Sequence, residues 1–390
     1  MPIESNIWKF YVIEGLKGFW FILPIIVLYL QHFNINYTGI GILDFIFAAV
    51  IIIFEIPTGA IADILGRKPS MFLGFAVSAI AMLWIGFSTT ITGFLIGYAL
   101  WAVGDAFQSG ASDALLYDTL RDLRKQKSYL KIKGRLKLVS TATLLIGLFI
   151  GPILFVADVR FPYFAYGISL FLASLFFLVM KEPKMRKSGD SIKTYYVQIK
   201  KSMRYAMAHK FIKWLVFFSI ITAIPMFILN TFLLQPHLVD IGFNVATFSI
   251  IFPLIYGLAS LISAFAYKIE EKVGEKNSFF LITIAQGIMF LLLWLTRVPV
   301  ILIVIILLYV NRDFKEMIIN NYINHNVKSS QRATILSIQS FIANIGFLVT
   351  SITVGVMIDF ITVQNMFLAL GLFTLVLGIP YFFRMYRSKS

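Results

Sequence analysis

The chain has 390 residues, of which 59% are hydrophobic and only 14% are charged. Soluble domains carry about 45–50% apolar and about 25% charged residues, so this composition excludes an ordinary soluble enzyme, a disordered chain and a coiled coil. The absence of cysteine excludes disulfides and thiolate sites. The net charge is +15, and its interpretation depends on where along the chain the basic residues lie.

Twelve apolar stretches are long enough to be membrane-spanning helices, because about 20 residues cross a bilayer. No small-x-small cleavage site follows the first stretch, so we expect a retained helix there and not a signal peptide. The stretches lie near residues 9–30, 39–61, 71–88, 92–119, 137–157, 161–180, 212–236, 245–267, 278–296, 299–324, 333–357 and 364–383. The sequence therefore predicts an all-α membrane protein with twelve transmembrane helices.

Basic residues are distributed unevenly between the loops that join these stretches. Arg160 and Arg297 are the only basic residues in the loops after odd-numbered stretches, whereas the other loops and both termini are rich in lysine and arginine. The positive-inside rule makes the rich side cytoplasmic. We therefore expect a multi-pass protein of the plasma or inner membrane with cytoplasmic termini. The net charge is then explained by topology and by contact with anionic lipid, and not by nucleic-acid binding.

The longest polar stretch, residues 181–211, lies between the sixth and seventh apolar stretches. It divides the chain into a predicted N-terminal six-helix bundle at 1–180 and a C-terminal six-helix bundle at 212–390. Between residues 192 and 207, apolar side chains recur at helical spacing among basic ones, which predicts an amphipathic helix on the membrane surface. We expect this cytoplasmic linker to be a simple tether or a regulatory segment.

A compact motif lies in the short loop between the second and third stretches, where residues 59–68 read G-A-I-A-D-I-L-G-R-K. This loop resembles the G-x-x-x-D-x-x-G-R-K signature of the major facilitator superfamily, and the resemblance extends to the twelve stretches and the long central linker. It implies two pseudo-symmetric six-helix bundles and a cytoplasmic latch. The latch residues would be Asp63, Gly66, Arg67, Lys68 and, at the end of the fourth stretch, Asp118.

The second half of the chain carries a degenerate copy of this loop. Gly66 and Gly274 are 208 residues apart, and the same offset separates Asp105 from Asp313. In transporters built from internal repeats, such positions are equivalent. Glu275 follows Gly274 at the position that Arg67 has in the first loop, so we expect a weaker latch at the second loop.

The fifth stretch contains Gly147, Gly151 and Pro152. Small residues four apart let helices approach closely, and proline bends a helix. The pattern is similar to the G-x-x-x-G-P portion of the antiporter motif of the same superfamily, which implies export by exchange. A helix-packing role with no bearing on the direction of transport is the alternative.

Charged residues inside apolar stretches cost roughly 2.5–3.5 kcal/mol each at the bilayer centre, and they persist where they face protein or water. In the fourth and tenth stretches they share one helical face with other polar residues. The resemblance implies that these faces and the first stretch line a central cavity. The candidate proton carriers are Asp105 and Glu14. The candidate substrate-cavity residues are Lys17, Trp101, Gln108, Tyr309, Arg312, Asp313, Glu316 and Asn320.

A purely structural role is the alternative for four of these charges. Glu14 and Lys17 are three residues apart, and Arg312 and Glu316 are four apart, so each pair has the spacing of an ion pair along one helix.

Together these features predict a secondary active transporter that moves a small organic solute or drug by alternating access. Proton-coupled export, as in multidrug efflux, is the first hypothesis, and proton-coupled uptake by symport is the second. A membrane-embedded lipid-modifying enzyme is the third, but its candidate acids, Asp113 and Asp118, point about 140° apart on a helix. We expect no enzyme activity, no cofactor and no metal, and a monomer whose partners are the bilayer, the solute and protons.

Overall fold

The computed structural model of the chain describes residues 3–109, 111–184, 210–265, 267–296, 298, 300–326 and 329–387. All regular secondary structure in these residues is helical, as the sequence predicts, and no strand occurs among them. The amphipathic helix expected between residues 192 and 207 lies outside the described residues, so it stays a prediction.

The chain divides into two compact units. The first comprises Met1–Ile35, Ile42–Ile192 and Asn244–Phe252, and the second comprises Asn36–Gly41, Lys193–Phe243 and Pro253–Ser390. The boundary between the long segments, at residues 192 and 193, lies within the predicted linker.

Helices in the first half of the chain form most of the first unit, although residues 37–41 at the start of one of them belong to the second unit. They are α1 (Asn6–Gly18), α2 (Ile26–His32), α3 (Tyr37–Leu65), α4 (Arg67–Phe87), α5 (Ile91–Gln108), α6 (Ala111–Asp122), α7 (Tyr129–Ala157) and α8 (Phe161–Val179).

The first predicted stretch is not one continuous helix, because residues 19–25 separate α1 from α2. This irregular segment packs tightly against α7. A Cβ atom added to Gly147 would lie 2.9 Å from the backbone nitrogen of Trp20, and one added to Gly151 would overlap the carbonyl oxygen of Phe21. Irregular backbone at membrane depth is tolerated where protein buries it, and these two glycines leave the room for it.

Close packing by small residues also joins α4 to α5. A Cβ atom added to Gly104 of α5 would lie 2.8 Å from the backbone nitrogen of Ser78 and 2.9 Å from the carbonyl oxygen of Gly74, both in α4. Without side chains at these positions, the two helix backbones approach closely enough for extensive van der Waals contact, which drives helix association in lipid.

Helices in the second half of the chain form most of the second unit, although residues 248–252 at the start of one of them belong to the first unit. A π-helical turn, Leu229–Leu233, connects two of them, and Gly274 with φ of +76° marks a kink within another. The helices are α9 (Lys210–Ile228), α10 (Leu234–Asp240), α11 (Phe248–Ser263), α12 (Tyr267–Leu295), α13 (Ile301–Asn326), α14 (Ser329–Phe360) and α15 (Val363–Arg387).

Eight helical stretches of the described chain are long and apolar enough to cross a membrane by length and composition. They correspond to the second, third, fifth to ninth and twelfth predicted stretches. The first stretch is interrupted between α1 and α2, and the fourth between α5 and α6. The tenth carries four charges. In the eleventh, a continuous helix runs over Ser329–Phe360, and residues 345–360 form its apolar part among the residues whose side chains the structure describes. Interruption separates the first and fourth stretches from the other eight, and charge separates the tenth.

Candidate functional site

Charged side chains gather where α3 turns into α4. Gly66, between the two helices, has φ of +113°, a conformation that glycine adopts without strain. Arg67 at the start of α4 forms an ion pair with the buried carboxylate of Asp118 in α6. Arg121 contacts the other oxygen of this carboxylate at 2.8 Å. Asp118 therefore holds one basic side chain from α4 and one from its own helix.

Glu182, just after α8, also joins this group, although it is not among the predicted residues. Its carboxylate accepts hydrogen bonds from the backbone N–H groups of Arg67 at 2.9 Å and Lys68 at 3.0 Å, and thereby caps α4. Burial raises the pKa of the Glu182 carboxyl, and the two backbone hydrogen bonds oppose that rise. We call the following residues the Arg67 cluster: Arg67, Lys68, Asp118, Arg121 and Glu182.

Asp63 stands apart from the Arg67 cluster. Its side chain is exposed, and among the described residues it forms no ion pair. The predicted latch thus contains Arg67 and Asp118 in contact, with Gly66 and Lys68 beside them, but without Asp63. Any contribution of Asp63 to a latch stays a prediction.

We expect Gly66→Ala to lower the free energy of unfolding by about 2–3 kcal/mol, measured on the purified protein in detergent. Backbone strain at a positive φ accounts for about 1–2 kcal/mol. The new Cβ atom would also lie 3.1 Å from the carboxyl carbon of Glu182, which adds crowding.

Gly274→Ala is the matched control for this prediction. Gly274 also has a positive φ, but an added Cβ atom would meet no atom within 4 Å. Only the backbone strain of about 1–2 kcal/mol remains. Equal losses in the two variants would contradict a role for the Glu182 contact.

Glu14, Lys17 and Asp105 all belong to the first unit, and the alternative of a Glu14–Lys17 ion pair is not observed. No nitrogen of Lys17 lies within 4.0 Å of a Glu14 oxygen. The Lys17 ammonium lies 5.7 Å from the ring centre of Phe75 and acts electrostatically on both Glu14 and Asp105. The Asp105 carboxyl has no hydrogen-bond partner among the described residues.

The other two predicted residues of the fourth stretch are placed differently. The Trp101 ring packs against Phe47, with 4.8 Å between ring centres, and is only partly buried. Gln108 is buried, and its amide donates to the Ser78 hydroxyl of α4 at 3.1 Å. In this structure the Gln108 amide thus bonds to α4, and its assignment to a substrate cavity stays a prediction.

In the second unit, Arg312 of α13 is held by one carboxylate and two rings. Its Nε and Nη2 atoms both contact Oδ1 of Asp313, at 2.9 Å and 2.8 Å. Its guanidinium lies 4.7 Å from the ring centre of Tyr309 and 5.8 Å from that of Tyr256 in α11. Such stacking over ring faces adds cation–π attraction to the ion pair.

Asn230, in the π-helical turn, anchors the two tyrosines. The Tyr309 hydroxyl donates to its side-chain oxygen, the Tyr256 hydroxyl lies 3.5 Å from the same oxygen, and its amide donates to the Met226 carbonyl at 2.6 Å. π-helical turns occur frequently at functional sites. The sequence signal was an amide within the seventh apolar stretch, which also contains Gln235. We call the following residues the Arg312 cluster: Asn230, Tyr256, Tyr309, Arg312 and Asp313.

Two further predicted cavity residues lie outside the Arg312 cluster. The expected Arg312–Glu316 ion pair is wrong, because Glu316 contacts the ammonium of buried Lys315 at 3.4 Å. The side chain of Asn320 is outside the described part of the chain. Within the described residues, no group of three or more His, Asp or Glu side chains is arranged to hold a metal ion.

Comparisons with known proteins agree with this all-helical, two-unit fold. The profile described as Major Facilitator Superfamily matches residues 17–312. The chain belongs to the major facilitator superfamily. As a member of this superfamily, it is a multi-pass membrane transporter of a small solute and not an enzyme, and its environment is the lipid bilayer.

Individual members of the superfamily resemble the chain over most of its length. An uncharacterized MFS-type transporter, YxaM of Bacillus subtilis (strain 168), is 24% identical over 95% of this chain and 94% of its own. The class H tetracycline resistance protein of Pasteurella multocida is 23% identical over 84% of this chain and 83% of its own. A crystal structure of the nucleoside transporter NupG superposes with a TM-score of 0.78, at 15% identity, over 99% of this chain and 99% of its own.

Proposed function

We propose that this transporter exports a small organic solute or drug in exchange for protons. It works by alternating access of two six-helix halves, which together supply twelve membrane-spanning segments. The observation that carries the proposal is Asp105, a carboxyl on α5 without a hydrogen-bond partner among the described residues. An unpaired charge within a membrane-spanning helix is costly, so this carboxyl is suited to taking up a proton and releasing it again.

Export is favoured over uptake by two observations. The resemblance to a tetracycline resistance protein extends over 84% of the chain. In addition, Gly147 and Gly151, which belong to the partial antiporter motif, pack directly against the irregular segment between α1 and α2. The backbone can rearrange at a break in a helix, and a motif in contact with that break can take part in the rearrangement. A motif that only packs two helices together would not need this contact.

The Arg67 cluster serves, in this proposal, as the cytoplasmic latch. Its ion pairs and the cap that Glu182 provides join α4 to α6 and to the end of α8. At Gly274 an added Cβ atom would meet no described atom within 4 Å, so no side chain in the described part of the chain takes the place that Glu182 has at Gly66. The contact with Glu182 at the first loop supports the expectation that the latch at the second loop is weaker.

Transport into everted membrane vesicles tests the proposed function, with tetracycline as the first probe and a panel of organic cations, anions and zwitterions after it. With an acidic vesicle interior, an exporter exchanges internal protons for external solute, and a protonophore abolishes the accumulation. Vesicles without the protein provide the background. Accumulation only in right-side-out vesicles with an acidic exterior would instead establish uptake by symport.

The predicted topology is testable because the chain contains no cysteine. A cysteine introduced as Ser128→Cys, between α6 and α7, should be shielded from an impermeant thiol reagent in intact cells. Thr90→Cys, before α5, lies in a loop of the opposite predicted side and should be labelled. Permeabilised cells should label at both positions, and labelling of Ser128→Cys in intact cells would overturn the orientation.

A further inference from the structure

A cavity of about 250 Å³ lies within the first unit, between α1, α6 and α7. It is smaller than typical pockets for drug-sized ligands, which occupy roughly 300–1,000 Å³. Its volume therefore suits a small solute. The polar residues that line it are Glu14, Ser112, Asp113, Lys133, Lys137 and Ser140.

One pair of opposite charges in this cavity is already satisfied. The Lys133 ammonium contacts Oδ2 of Asp113 at 2.5 Å and lies 5.8 Å from the ring centre of Tyr129. Because both charges engage each other, this pair forms part of the wall and leaves no net charge for a ligand to neutralise.

The second pair of opposite charges is not satisfied. Glu14 of α1 and Lys137 of α7 line the same cavity, yet neither forms an ion pair with any described residue, so their charged atoms lie more than 4.0 Å apart. A carboxylate and an ammonium line one cavity here but do not contact each other. The carboxylate attracts a cation, and the ammonium attracts an anion. One ligand with two opposite charges would neutralise both together.

We propose that this cavity binds a small zwitterion, with the ammonium of the ligand against Glu14 and its acid group, a carboxylate or a phosphate, against Lys137. Hydroxyl groups of Ser112 and Ser140 on the wall supply additional hydrogen-bond partners. The inference rests on the proposed function, because it assigns the solute class of the transporter. A free amino acid and the headgroup of a zwitterionic lipid share this chemistry.

Ligand-induced stabilisation of the purified full chain tests the proposal, because a ligand that binds the native state raises the melting temperature. The probes are 3-aminopropanoate, 4-aminobutanoate and 6-aminohexanoate, which separate the two charges by increasing lengths. Butylamine, butanoate and their mixture are the singly charged controls. We expect stabilisation by at least one amino acid, with an optimum in chain length, and none by the controls. A short-chain phosphatidylethanolamine forms a separate arm and distinguishes a lipid headgroup from a free solute.

Variants locate the binding. Glu14→Gln and Lys137→Gln should each weaken binding of the best probe about tenfold or more, since each removes one charge-assisted contact. The double variant Glu14→Lys/Lys137→Glu should recover part of the affinity that each single variant loses, because a zwitterion can then bind in the reversed orientation. Lys131→Gln is the matched control on α7, since Lys131 is exposed and does not line the cavity.

Absence of stabilisation by both the amino acids and the phosphatidylethanolamine would overturn the proposal, and so would binding that survives Glu14→Gln and Lys137→Gln unchanged. If the everted vesicles accumulate another class of solute, the zwitterion inference fails while the exporter proposal stands. If they accumulate no member of the panel, the exporter proposal itself fails.

Discussion

Replacing Asp105 with asparagine should abolish solute accumulation driven by a pH gradient, while solute-for-solute exchange continues. Asparagine keeps the size and polarity of the side chain but cannot carry a proton. A gradient of one pH unit supplies about 1.4 kcal/mol per proton, which corresponds to about tenfold accumulation for one-for-one exchange. In proteoliposomes with this gradient, we expect the native protein to approach that ratio and Asp105→Asn to equilibrate the solute at a ratio of about one.

Asp158→Asn is the matched control, because Asp158 follows α7, is exposed and lies outside the proposed coupling site, and its replacement leaves the carboxyl of Asp105 in place. This variant should accumulate solute as the native protein does. If Asp105→Asn also concentrates the solute fully, Asp105 is not the coupling residue. The same assay on Glu14→Gln would then be run beside solute-for-solute exchange, since Glu14 is the other candidate carrier and loss of accumulation with exchange retained separates proton coupling from solute binding.

Arg312→Lys should lower the free energy of unfolding by about 2 kcal/mol although it preserves the positive charge. Lysine cannot keep both contacts that the guanidinium makes with Oδ1 of Asp313. It also loses the planar stacking on Tyr309 and Tyr256. One charge-assisted hydrogen bond and a cation–π contact together account for about 2 kcal/mol. Equilibrium unfolding of the purified protein measures the loss.

Arg121→Lys provides a matched comparison for this unfolding measurement. The Arg121 side chain is 30% exposed, against 29% for Arg312, and it pairs with two aspartates, Asp118 at 2.8 Å and Asp122 at 3.7 Å. Among the described residues it stacks on no aromatic ring. We therefore expect Arg121→Lys to lose about 1 kcal/mol less than Arg312→Lys, because no cation–π contact is removed. Equal losses in the two variants would show that the rings around Arg312 contribute nothing to its stability.

Hydropathy and helical periodicity were sufficient to predict an all-helical membrane protein, because the cost of exposing polar groups to lipid leaves few alternatives. Apolar composition alone did not reveal the interruption at residues 19–25, although Pro24 within it is a local signal for a helix break. The room for the irregular segment comes from another helix, where Gly147 and Gly151 carry no side chain. Local sequence carries no information about such a distant partner.

The same limit applies to the side-chain contacts. Glu182 bonds to Arg67 although 115 residues separate the two, and Asn230 bonds to Tyr309 although 79 residues separate them. Spacing along one helix therefore could not predict either contact. For Arg312, spacing was consistent with Glu316 as a partner. Long side chains on a helix point back towards its N-terminus, and Arg312 follows this rule by lying over Tyr309. Its guanidinium is thereby directed away from Glu316.

The charges of α13 are paired between immediate neighbours, Arg312 with Asp313 and Lys315 with Glu316. Neighbouring partners are within reach as soon as the helix forms, before any other helix has been synthesised or packed against it. In the twelve-helix arrangement that we propose, α13 therefore enters the bilayer as two neutral pairs instead of four isolated ions, which lowers the cost of insertion. We expect the order of charges along this helix to serve the insertion of the protein as well as its finished structure.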